Sequence, residues 1–476
     1  MRLRTILIPF VLLTILLAVH PVLADSESDH AVLSNGELSQ QVRMLQKQLQ
    51  DMQQVIHKQN EVIEKLSKSS MDANQINGDI ASNEKSSQEA TFKNMLPDWL
   101  NSMKLSGDFR LRDQYQRRKV PGGSSNFAQN RGRFRARLNF EDQINNKVKV
   151  VFGIATDGGK PDSSISGRSS NITFGGNNST GDGFAKAGIA VNKAYAVYTP
   201  NDMITMIGGK MDQPLWEPAN LYWKEPDITP EGGAIQLQKK FSEMLTPFST
   251  NAFFVLHDAT PTSSLKTDPY LFASQNGIKG NLTEKVYYKL AGTYYEINNP
   301  SHLIFTNTSI SGSTSDSIGS SSTKYRYNFH SIEGSMELGL NDPFGELLPS
   351  GLYIPQVGIF GAYGTNTNPS QNNAVWQMGG YIGNSSINGW GTWRLTSFYR
   401  VIERDAWIDT LTDDDFYGGY TDTAGWRTQL SIGLAKNVWL DLIYYRTHIY
   451  KTFTDLTVLS QRAPEDLAQA DVSFKF

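Results

Sequence analysis

The sequence contains no cysteine, and beyond its N-terminus it contains no long apolar run. The absence of cysteine excludes disulfides, thiolate metal sites and cysteine nucleophiles. The absence of apolar stretches of about 20 residues, together with a mean hydropathy of −0.39, excludes a bundle of membrane-spanning helices. A formal net charge of −3 on 476 residues leaves no basic excess that would indicate nucleic acid as a partner.

Sequence patterns for catalysis and for metal binding are also scarce. Residues 263–266 match Ser-x-x-Lys, but they lack the partner motifs that such an enzyme requires. The seven histidines show no metal-binding spacing. The sequence therefore predicts no enzyme, no metal site and no cofactor.

The chain is rich instead in glycine, tyrosine and phenylalanine, with 40, 20 and 23 residues, and in small polar residues. Aromatic residues favour strands, whereas glycine and small polar residues favour turns and loops. This composition favours a β protein with long polar loops, and at this length a barrel can form a single unit.

The one long apolar run, at positions 6–19, follows Arg2 and Arg4 and precedes Val-Leu-Ala at 22–24. A basic end, a short apolar core and a small-residue cleavage site define an export signal. We expect residues 1–24 to be a signal peptide that is removed after Ala24. The alternative is an uncleaved anchor, for which the apolar core is short.

Residues 25–66 are expected to form a coiled coil, because they contain heptads between positions 38 and 66. The spacing of the core positions alternates between four and three residues, which is the period of a coiled coil. These positions are Leu38, Val42, Leu45, Leu49, Met52, Ile56, Gln59, Ile63 and Leu66. The alternative is a single amphipathic helix packed on a domain. Residues 67–96 are polar and are expected to be a linker.

From about Pro97 the period of the apolar residues changes from 3.5 to 2. In the segment 133–138 each arginine is followed by Phe, Ala or Leu, so one face of a strand carries three arginines and the other is apolar. Three unpaired arginines in a dry core would be prohibitively costly, so the basic face requires water. The apolar face requires a second protein layer or lipid.

Sixteen candidate strands follow this period of two. They are expected at about 102–116, 130–143, 147–157, 187–198, 203–212, 232–241, 249–258, 271–280, 285–296, 324–340, 353–364, 374–383, 389–403, 424–435, 437–450 and 466–476. The links between them alternate between tight turns and long polar loops, a pattern typical of outer-membrane barrels. For residues 97–476 we therefore predict an all-β transmembrane barrel of about 16 antiparallel strands, preceded by the α-helical coiled coil.

Four motifs in the first half of this region carry a family resemblance. They are GDFRLR at 107–112, NRGRFRARL at 130–138, GGKM at 208–211 and PEGG at 230–233. They resemble a putative-porin family of Gram-negative, proteobacterial outer membranes, with an N-terminal coiled coil in the periplasm. The resemblance implies an outer-membrane location, contact with lipid and lipopolysaccharide, and a homotrimer of diffusion channels with a trimeric coil.

The last strand ends in Phe474 and Phe476, which alternate with polar residues. This ending resembles the terminal aromatic signature by which the barrel-assembly machinery recognises Gram-negative outer-membrane barrels. We therefore expect these two residues to be the assembly signal, and the assembly machinery to be a partner of the chain.

If the apolar faces contact lipid, the polar faces of the first three strands line the lumen. They form a basic wall of Lys104, Arg110, Arg112, Arg133, Arg135, Arg137, Lys147 and Lys149. Charged groups in a lumen tune ion selectivity, so this wall predicts a mild preference for anions. The alternative is that these residues pair with loop carboxylates and only hold the loops in place.

A loop at 213–231 combines aromatic and acidic residues with four prolines. If it folds into the lumen, its carboxylates face the basic wall and form a constriction. The residues concerned are Trp216, Glu217, Trp223, Glu225, Asp227 and Glu231. The alternative is an extracellular cap. A second acidic run, at 409–415, is expected to be a solvated loop rather than a cation site.

Together these patterns predict an outer-membrane porin, a passive channel through which small hydrophilic solutes or anions diffuse. One alternative is a structural anchor, with a plugged barrel and a periplasmic coiled-coil tether. Another is an outer-membrane hydrolase, which would need a Ser/His/acid cluster at the rim that the sequence does not display.

Overall fold

The computed structural model describes most of the chain after residue 102. The described residues are 103–118, 127–157, 169–175, 187–218, 228–257, 268–300, 325, 327–345, 353–408, 411–451 and 464–476. The expected signal peptide at 1–24, coiled coil at 25–66 and linker at 67–96 lie outside the described residues. These three assignments stay predictions.

The strands of the described residues belong to one antiparallel sheet. In chain order they are β1 (Lys104–Arg118), β2 (Phe127–Gln143), β3 (Val148–Asp157), β4 (Ile172–Thr173), β5 (Gly188–Asn201), β6 (Ile204–Lys210), β7 (Glu231–Gln238), β8 (Thr246–Val255), β9 (Tyr270–Asn281), β10 (Val286–Asn298), β11 (Phe329–Asn341), β12 (Gln356–Asn366), β13 (Ala374–Gly383), β14 (Trp393–Ile402), β15 (Thr423–Ala435), β16 (Val438–Ile449) and β17 (Glu465–Lys475). A short 3-10 helix, Tyr417–Gly419, lies between β14 and β15.

The sheet closes on itself because β1 pairs with β17 as well as with β2. The two-residue strand β4 pairs with β2, while β3 pairs directly with β5, so sixteen strands form the wall of the barrel. Closure leaves the wall without a free edge, and its backbone N–H and C=O groups pair between strands. The prediction of sixteen antiparallel strands is confirmed, and each expected strand overlaps an observed one.

Turns and loops separate onto two rims of the barrel. Tight turns join β2 to β3, β5 to β6 and β15 to β16 at the rim that also holds Lys104 and Phe476; we call it the short-turn rim. The opposite, long-loop rim carries links such as 158–187 and 211–230. Asn437 adopts a left-handed conformation, with φ of 61°, in the two-residue turn before β16. The expected alternation of link lengths is present, although the 367–373 link on the long-loop rim is short.

Side chains alternate between the interior and the outer surface along each strand. On β1, Arg112 and Gln114 are buried inside, whereas Leu111 and Tyr115 are exposed outside. The outer surface is rich in large apolar residues that are exposed on the isolated chain, whereas the inner wall of β1 and β2 is polar and charged. Among the described residues, no helix is long and apolar enough to cross a membrane.

Two segments from the long-loop rim fold into the barrel and pack on its inner wall. One is 211–218, after β6, and the other, which we call the inner segment, comprises 403–408 and 411–418 between β14 and β15. Leu215 and Trp407 belong to one apolar cluster with inward-facing residues of the strands. The ring of Trp407 meets that of Tyr295 edge-on, with centroids 5.1 Å apart. These apolar contacts hold both segments inside the barrel.

Candidate functional site inside the barrel

A ladder of arginines lines the inner face of β1 and β2. Arg110 lies opposite Arg135, and Arg112 lies opposite Arg133, in the register of the two strands. Arg137 continues the row toward the short-turn rim. Because side chains alternate in direction along a strand, the same period of two that carries apolar residues outward brings these five guanidinium groups inside.

The three lysines of the predicted basic wall lie near the short-turn rim. Lys104 begins β1, and Lys149 lies on the inner face of β3 with its Nζ atom 3.2 Å from the carboxylate of Glu141. Lys147 lies in the turn before β3, which begins at Val148. Lys147 therefore lies one residue before the strand, and its carbonyl accepts a backbone hydrogen bond from Thr199 at 2.8 Å. Its place on the basic wall stays a prediction.

Arg112 pairs with two carboxylates, those of Asp471 and Asp415. Its Nε and Nη2 atoms each donate to one carboxylate oxygen of Asp471 on β17, both at 2.8 Å. Its Nη1 atom donates to Asp415 at 3.2 Å. Arg118 pairs similarly with Glu465 on β17, at 2.6 Å. Such charge-assisted bonds are roughly twice as strong as neutral ones, and here they cross the seam between the first and last strands.

The carboxylates that face the ladder come from the inner segment. Asp413 lies 3.2 Å from Nη1 of Arg400 on β14, and Asp415 lies 3.2 Å from Nη1 of Arg112. Arg400 is fully buried, and its Nε atom donates to Gln377. The expectation of a solvated acidic loop is wrong for these two aspartates, because inward-facing arginines of β1 and β14 hold them inside.

Asp415 belongs to a loop and is surrounded by cationic groups. Burial by itself would raise the pKa of its carboxyl group, but the charge of Arg112 opposes that effect. A hydrogen bond from Gln469 and the charges of Arg110 and Arg133 act in the same direction as Arg112. The pKa of Asp415 is therefore held below its ordinary value, and the carboxylate is ionised at neutral pH.

The described residues include only the two ends of the loop predicted as the constriction. The backbone of Trp216 exchanges two hydrogen bonds with Gln275 inside the barrel, at 2.8 and 2.6 Å. Glu217 is buried and accepts a hydrogen bond from Tyr295 at 3.4 Å. Trp223, Glu225 and Asp227 lie outside the described residues.

Glu231 does not lie inside the barrel. It begins β7 on the outer face and pairs with Lys210 of β6 at 2.7 Å. Its neighbour Gly232 faces inward, opposite the buried Phe254. The interior role predicted for Glu231 is wrong. The residue is the first of β7, and side chains alternate along that strand so that residue 231 points outward.

A cavity of about 230 Å³ lies between the ladder and the inner segment. Five arginines and five aspartates line it: Arg110, Arg112, Arg135, Arg400, Arg427, Asp413, Asp414, Asp415, Asp441 and Asp471. Next to it, Asp108 pairs with Arg137 at 2.7 Å. Arg131 and Arg133 have no ion pair within 4 Å in the described part of the chain. The cavity is balanced in charge, and its surroundings carry a small positive excess.

The comparison with protein families matches this barrel to one family along most of its length. A family model described as "Putative porin" matches residues 118–345 and 348–475. The chain belongs to the putative-porin family. Membership in this family, together with the closed barrel, indicates an outer-membrane channel rather than an enzyme. The GDFRLR motif at 107–112 and all of β1 before Arg118 precede the matched residues.

Solved structures of bacterial porins are similar to this porin at low sequence identity. OprB of Pseudomonas putida, in a high-pH structure, is 8% identical and aligns over 84% of this chain and 97% of its own, with a TM-score of 0.48. OmpF of Salmonella typhi, in complex with daunomycin, is 10% identical over 79% and 97%, with a TM-score of 0.43. A variant of the Rh. blastica porin is 13% identical over 79% and 100%, with a TM-score of 0.39. A search of curated proteins gave no match.

The interior of this porin contains charged residues that sequence reasoning missed. Arg131 lies opposite Gln114 and on the same face as Arg133. Arg131 lies two positions before Arg133, so the alternation of side chains along the strand predicts that it also faces inward. No comparable signal existed for Asp413 and Asp415, because a loop has no period that tells which way its side chains point. Among the described residues, no group of three or more His, Asp or Glu side chains is arranged to hold a metal ion.

The terminal phenylalanines of this porin lie on the outer face at the short-turn rim. Phe474 packs near Phe109 with ring centroids 6.1 Å apart, and Phe476 exchanges two backbone hydrogen bonds with Gly107 at 2.9 and 3.0 Å. A Cβ atom at Gly107 would come within 2.7 Å of the Phe476 ring. Glycine is therefore needed there for the ring to lie against the strand. An assembly signal at this edge stays a prediction.

Proposed function

We propose that this chain is a passive diffusion channel for small hydrophilic solutes, with a mild preference for anions, and that it works as a homotrimer in the outer membrane. The observation that carries the proposal is the arginine ladder on the inner face of β1 and β2, which faces the carboxylates of the inner segment across a polar cavity. A polar interior inside an apolar outer belt is the arrangement by which barrels conduct hydrophilic solutes.

The preference for anions follows from the charge balance of this region. Five positive and five negative side chains line the cavity, so they cancel in formal charge. Arg131, Arg133 and Arg137 add three positive charges beside it, and Asp108 adds one negative charge. Two positive charges in excess attract an anion and repel a cation by Coulomb's law, so the expected selectivity is modest.

The ladder residues have different parts in this mechanism. Arg112 and Arg400 are held by carboxylates and fix the inner segment, which sets the width of the path. Arg131 and Arg133 have no carboxylate partner among the described residues, and Arg133 donates to the neutral Gln114 at 3.3 Å, so the positive charge of both groups can act on a passing anion. The solute exchanges hydrogen bonds with these groups and with water, and no covalent step is involved.

The outer surface and the chain ends supply the remaining partners of the proposal. Exposed apolar side chains such as Leu105, Phe152 and Leu442 contact lipid, with lipopolysaccharide on the long-loop side. Phe474 and Phe476 present the aromatic end to the barrel-assembly machinery. In this proposal the coiled coil predicted for 25–66 lies in the periplasm and holds three chains together.

Purified protein in planar bilayers and in liposomes tests the proposal. We expect stepwise conductance, swelling with small sugars that fades as the sugars become larger, and a reversal potential of the anion-selective sign. Cation selectivity would refute the charge argument. An intact barrel without conductance would refute the channel.

One observation favours a second candidate, a structural anchor with a plugged barrel. The segments at 211–218 and 403–408 fill part of the interior with buried apolar side chains, including Leu215 and Trp407. In this alternative the coiled coil tethers the outer membrane, and solutes do not pass. The same conductance measurement separates the two candidates, since the anchor predicts a closed barrel.

A further inference from the structure

The outer face of β6 to β13 differs from the rest of the lipid-facing surface. On β8 and β9, four outward side chains form a row of amides and hydroxyls: Ser249, Asn251, Ser274 and Asn276. Ser274 donates to Asn251 at 2.8 Å, Asn251 donates to Ser249 at 3.2 Å, and Asn276 donates to Ser274 at 3.4 Å. Each Asn amide keeps further donor and acceptor capacity that hydrocarbon does not satisfy.

These polar residues lie at mid-height of the wall. Asn251 is the sixth residue of the ten in β8, and Asn276 lies five residues above the short-turn end of β9. At about 3.3 Å per residue and a tilt of about 40°, that distance is near the middle of a 25 Å apolar belt. Amide groups at this depth are costly when they face lipid.

The neighbouring strands β6 and β7 are too short for a wall that faces bulk lipid. They have seven and eight residues, whereas a membrane-spanning strand needs about 9–11. Where these strands reach the long-loop rim, the outward-facing Lys210 and Glu231 form an ion pair. Their side chains are 30% and 65% exposed. If another protein covers this part of the wall, the short strands need not span the lipid and the two charges need not face hydrocarbon.

A groove of about 950 Å³ runs across β9 to β13 next to the polar row. Its floor is formed by Gly292, Gly334 and Gly361, and its flanks include Met336 and Met378. A Cβ atom at Gly334 would meet no other atom within 4 Å, so the space above the floor is open. Such a groove accepts side chains from a packed partner and lets two walls approach closely.

We infer that this face, from β6 to β13, is the surface through which copies of this chain pack against one another in the membrane. Around a threefold axis the two halves of this face meet different halves of the two neighbours. Amides and hydroxyls both donate and accept, and Lys210 and Glu231 offer both charges, so these groups can be satisfied by a second copy. The heptads at 38–66 independently predict that copies of this chain associate. Eight of the sixteen strands give one barrel enough wall to meet two neighbours. The inference rests on the homotrimer of the proposed function, but not on conduction.

Single-cysteine variants test the surface directly, because the chain has no native cysteine. Asn276→Cys and Gly334→Cys lie on the proposed interface. Ala470→Cys, on the outer face of β17 opposite Asp113 and Leu442, lies on the far side of the barrel and is the matched control. Membranes are treated with a bifunctional maleimide. We expect a product of twice the chain's mass from the first two variants, at least tenfold more abundant than from the control.

A second pair of variants tests whether the groove is required for assembly. Gly334→Trp fills the open space, and Ala470→Trp adds the same ring on the far side. In mild detergent we expect a trimer for the wild type and for Ala470→Trp, and a monomer for Gly334→Trp that keeps the heat-modifiable mobility of a folded barrel. If Gly334→Trp does not fold, the cysteine variants still decide.

Four results would overturn the inference. A trimer that crosslinks through Ala470→Cys alone would assign the interface to another wall while leaving the homotrimer intact. A monomeric wild type would remove both the interface and the homotrimer. A crosslinked product that is not a multiple of this chain would assign the face to another protein. Groove cysteines that a monofunctional maleimide modifies as fast as Ala470→Cys in the intact trimer would assign the face to lipid. Conductance of the same samples tests the channel separately.

Discussion

Removing Arg131 and Arg133 is expected to abolish the selectivity of the channel without opening the barrel. Both side chains point inward from β2, and in the described residues neither forms an ion pair. They account for the two positive charges in excess around the cavity. The double variant Arg131→Gln, Arg133→Gln replaces each guanidinium group with a shorter, neutral amide, so it removes this charge and keeps a polar inner face.

The size of the effect follows from Coulomb's law. One positive charge changes the energy of a monovalent ion 8 Å away by about 0.5 kcal/mol in water. Screening at 0.1 M salt reduces this by about half, so two charges contribute about 0.5 kcal/mol. The anion gains this energy and the cation loses it, which gives a difference of about 1 kcal/mol. The wild type should therefore favour anions about fivefold, and the variant should not discriminate.

The assay is the reversal potential across a planar bilayer under a tenfold gradient of potassium chloride. The fivefold preference corresponds to roughly 30 mV, and the variant should lie near zero. Arg117→Gln and Arg446→Gln, on the outer face of β1 and β16, form the matched control and should keep the wild-type potential. An unchanged potential in the double variant would refute the assignment of selectivity to these two residues.

Three further predictions concern the inner segment, the rim and the chain end. Asp415→Asn removes one negative charge while Arg112 keeps Asp471, so the anion preference should rise to about tenfold, and an unaltered reversal potential would contradict this. Burial raises the pKa of Asp422 to about 7, so its ionisation destabilises the folded state progressively as pH rises from about 4 to 7, by at most about 4 kcal/mol. Asp422→Asn should therefore raise the melting temperature in detergent at pH 8 but not at pH 4, and an equal effect at both would argue against it. The Phe476 side chain is 60% exposed, so Phe476→Ala should leave refolding in detergent unchanged. The same variant should reduce the heat-modifiable band of folded barrel in outer-membrane fractions. A band of normal intensity would exclude Phe476 as an assembly signal.

The barrel could be predicted from the sequence because each strand carries its own signal. A period of two fixes which side chains face inward, and the alternation of link lengths fixes the two rims. This period alone places Arg110, Arg112 and Arg135 on the inner face of their strands. The prediction for Glu231 is wrong because the residue lies at a strand boundary, where one position decides between a loop and the outer face.

The partners of the ladder could not be predicted in the same way. Asp415 meets Arg112 across 303 positions of sequence, and the contact exists because the apolar residues around Trp407 draw the inner segment into the barrel. The sequence marked the segment as acidic, and acidic loops are usually solvated. What decides its position is tertiary packing on the inner wall, which no local pattern encodes.

Some arginines of the ladder both line the cavity and hold the barrel closed, so their mutation affects two properties at once. Arg112 binds Asp471 across the seam between β1 and β17, where both side chains are buried. Removing Arg112 leaves Asp471 with Arg110 at 3.4 Å as its remaining cationic partner. Breaking a buried ion pair costs up to about 3–5 kcal/mol, enough to weaken the closure of the barrel itself. A change in conductance after mutation of Arg112 would therefore mix altered selectivity with altered closure. Arg131 and Arg133 carry charge without fastening the seam, and for that reason they report on permeation alone.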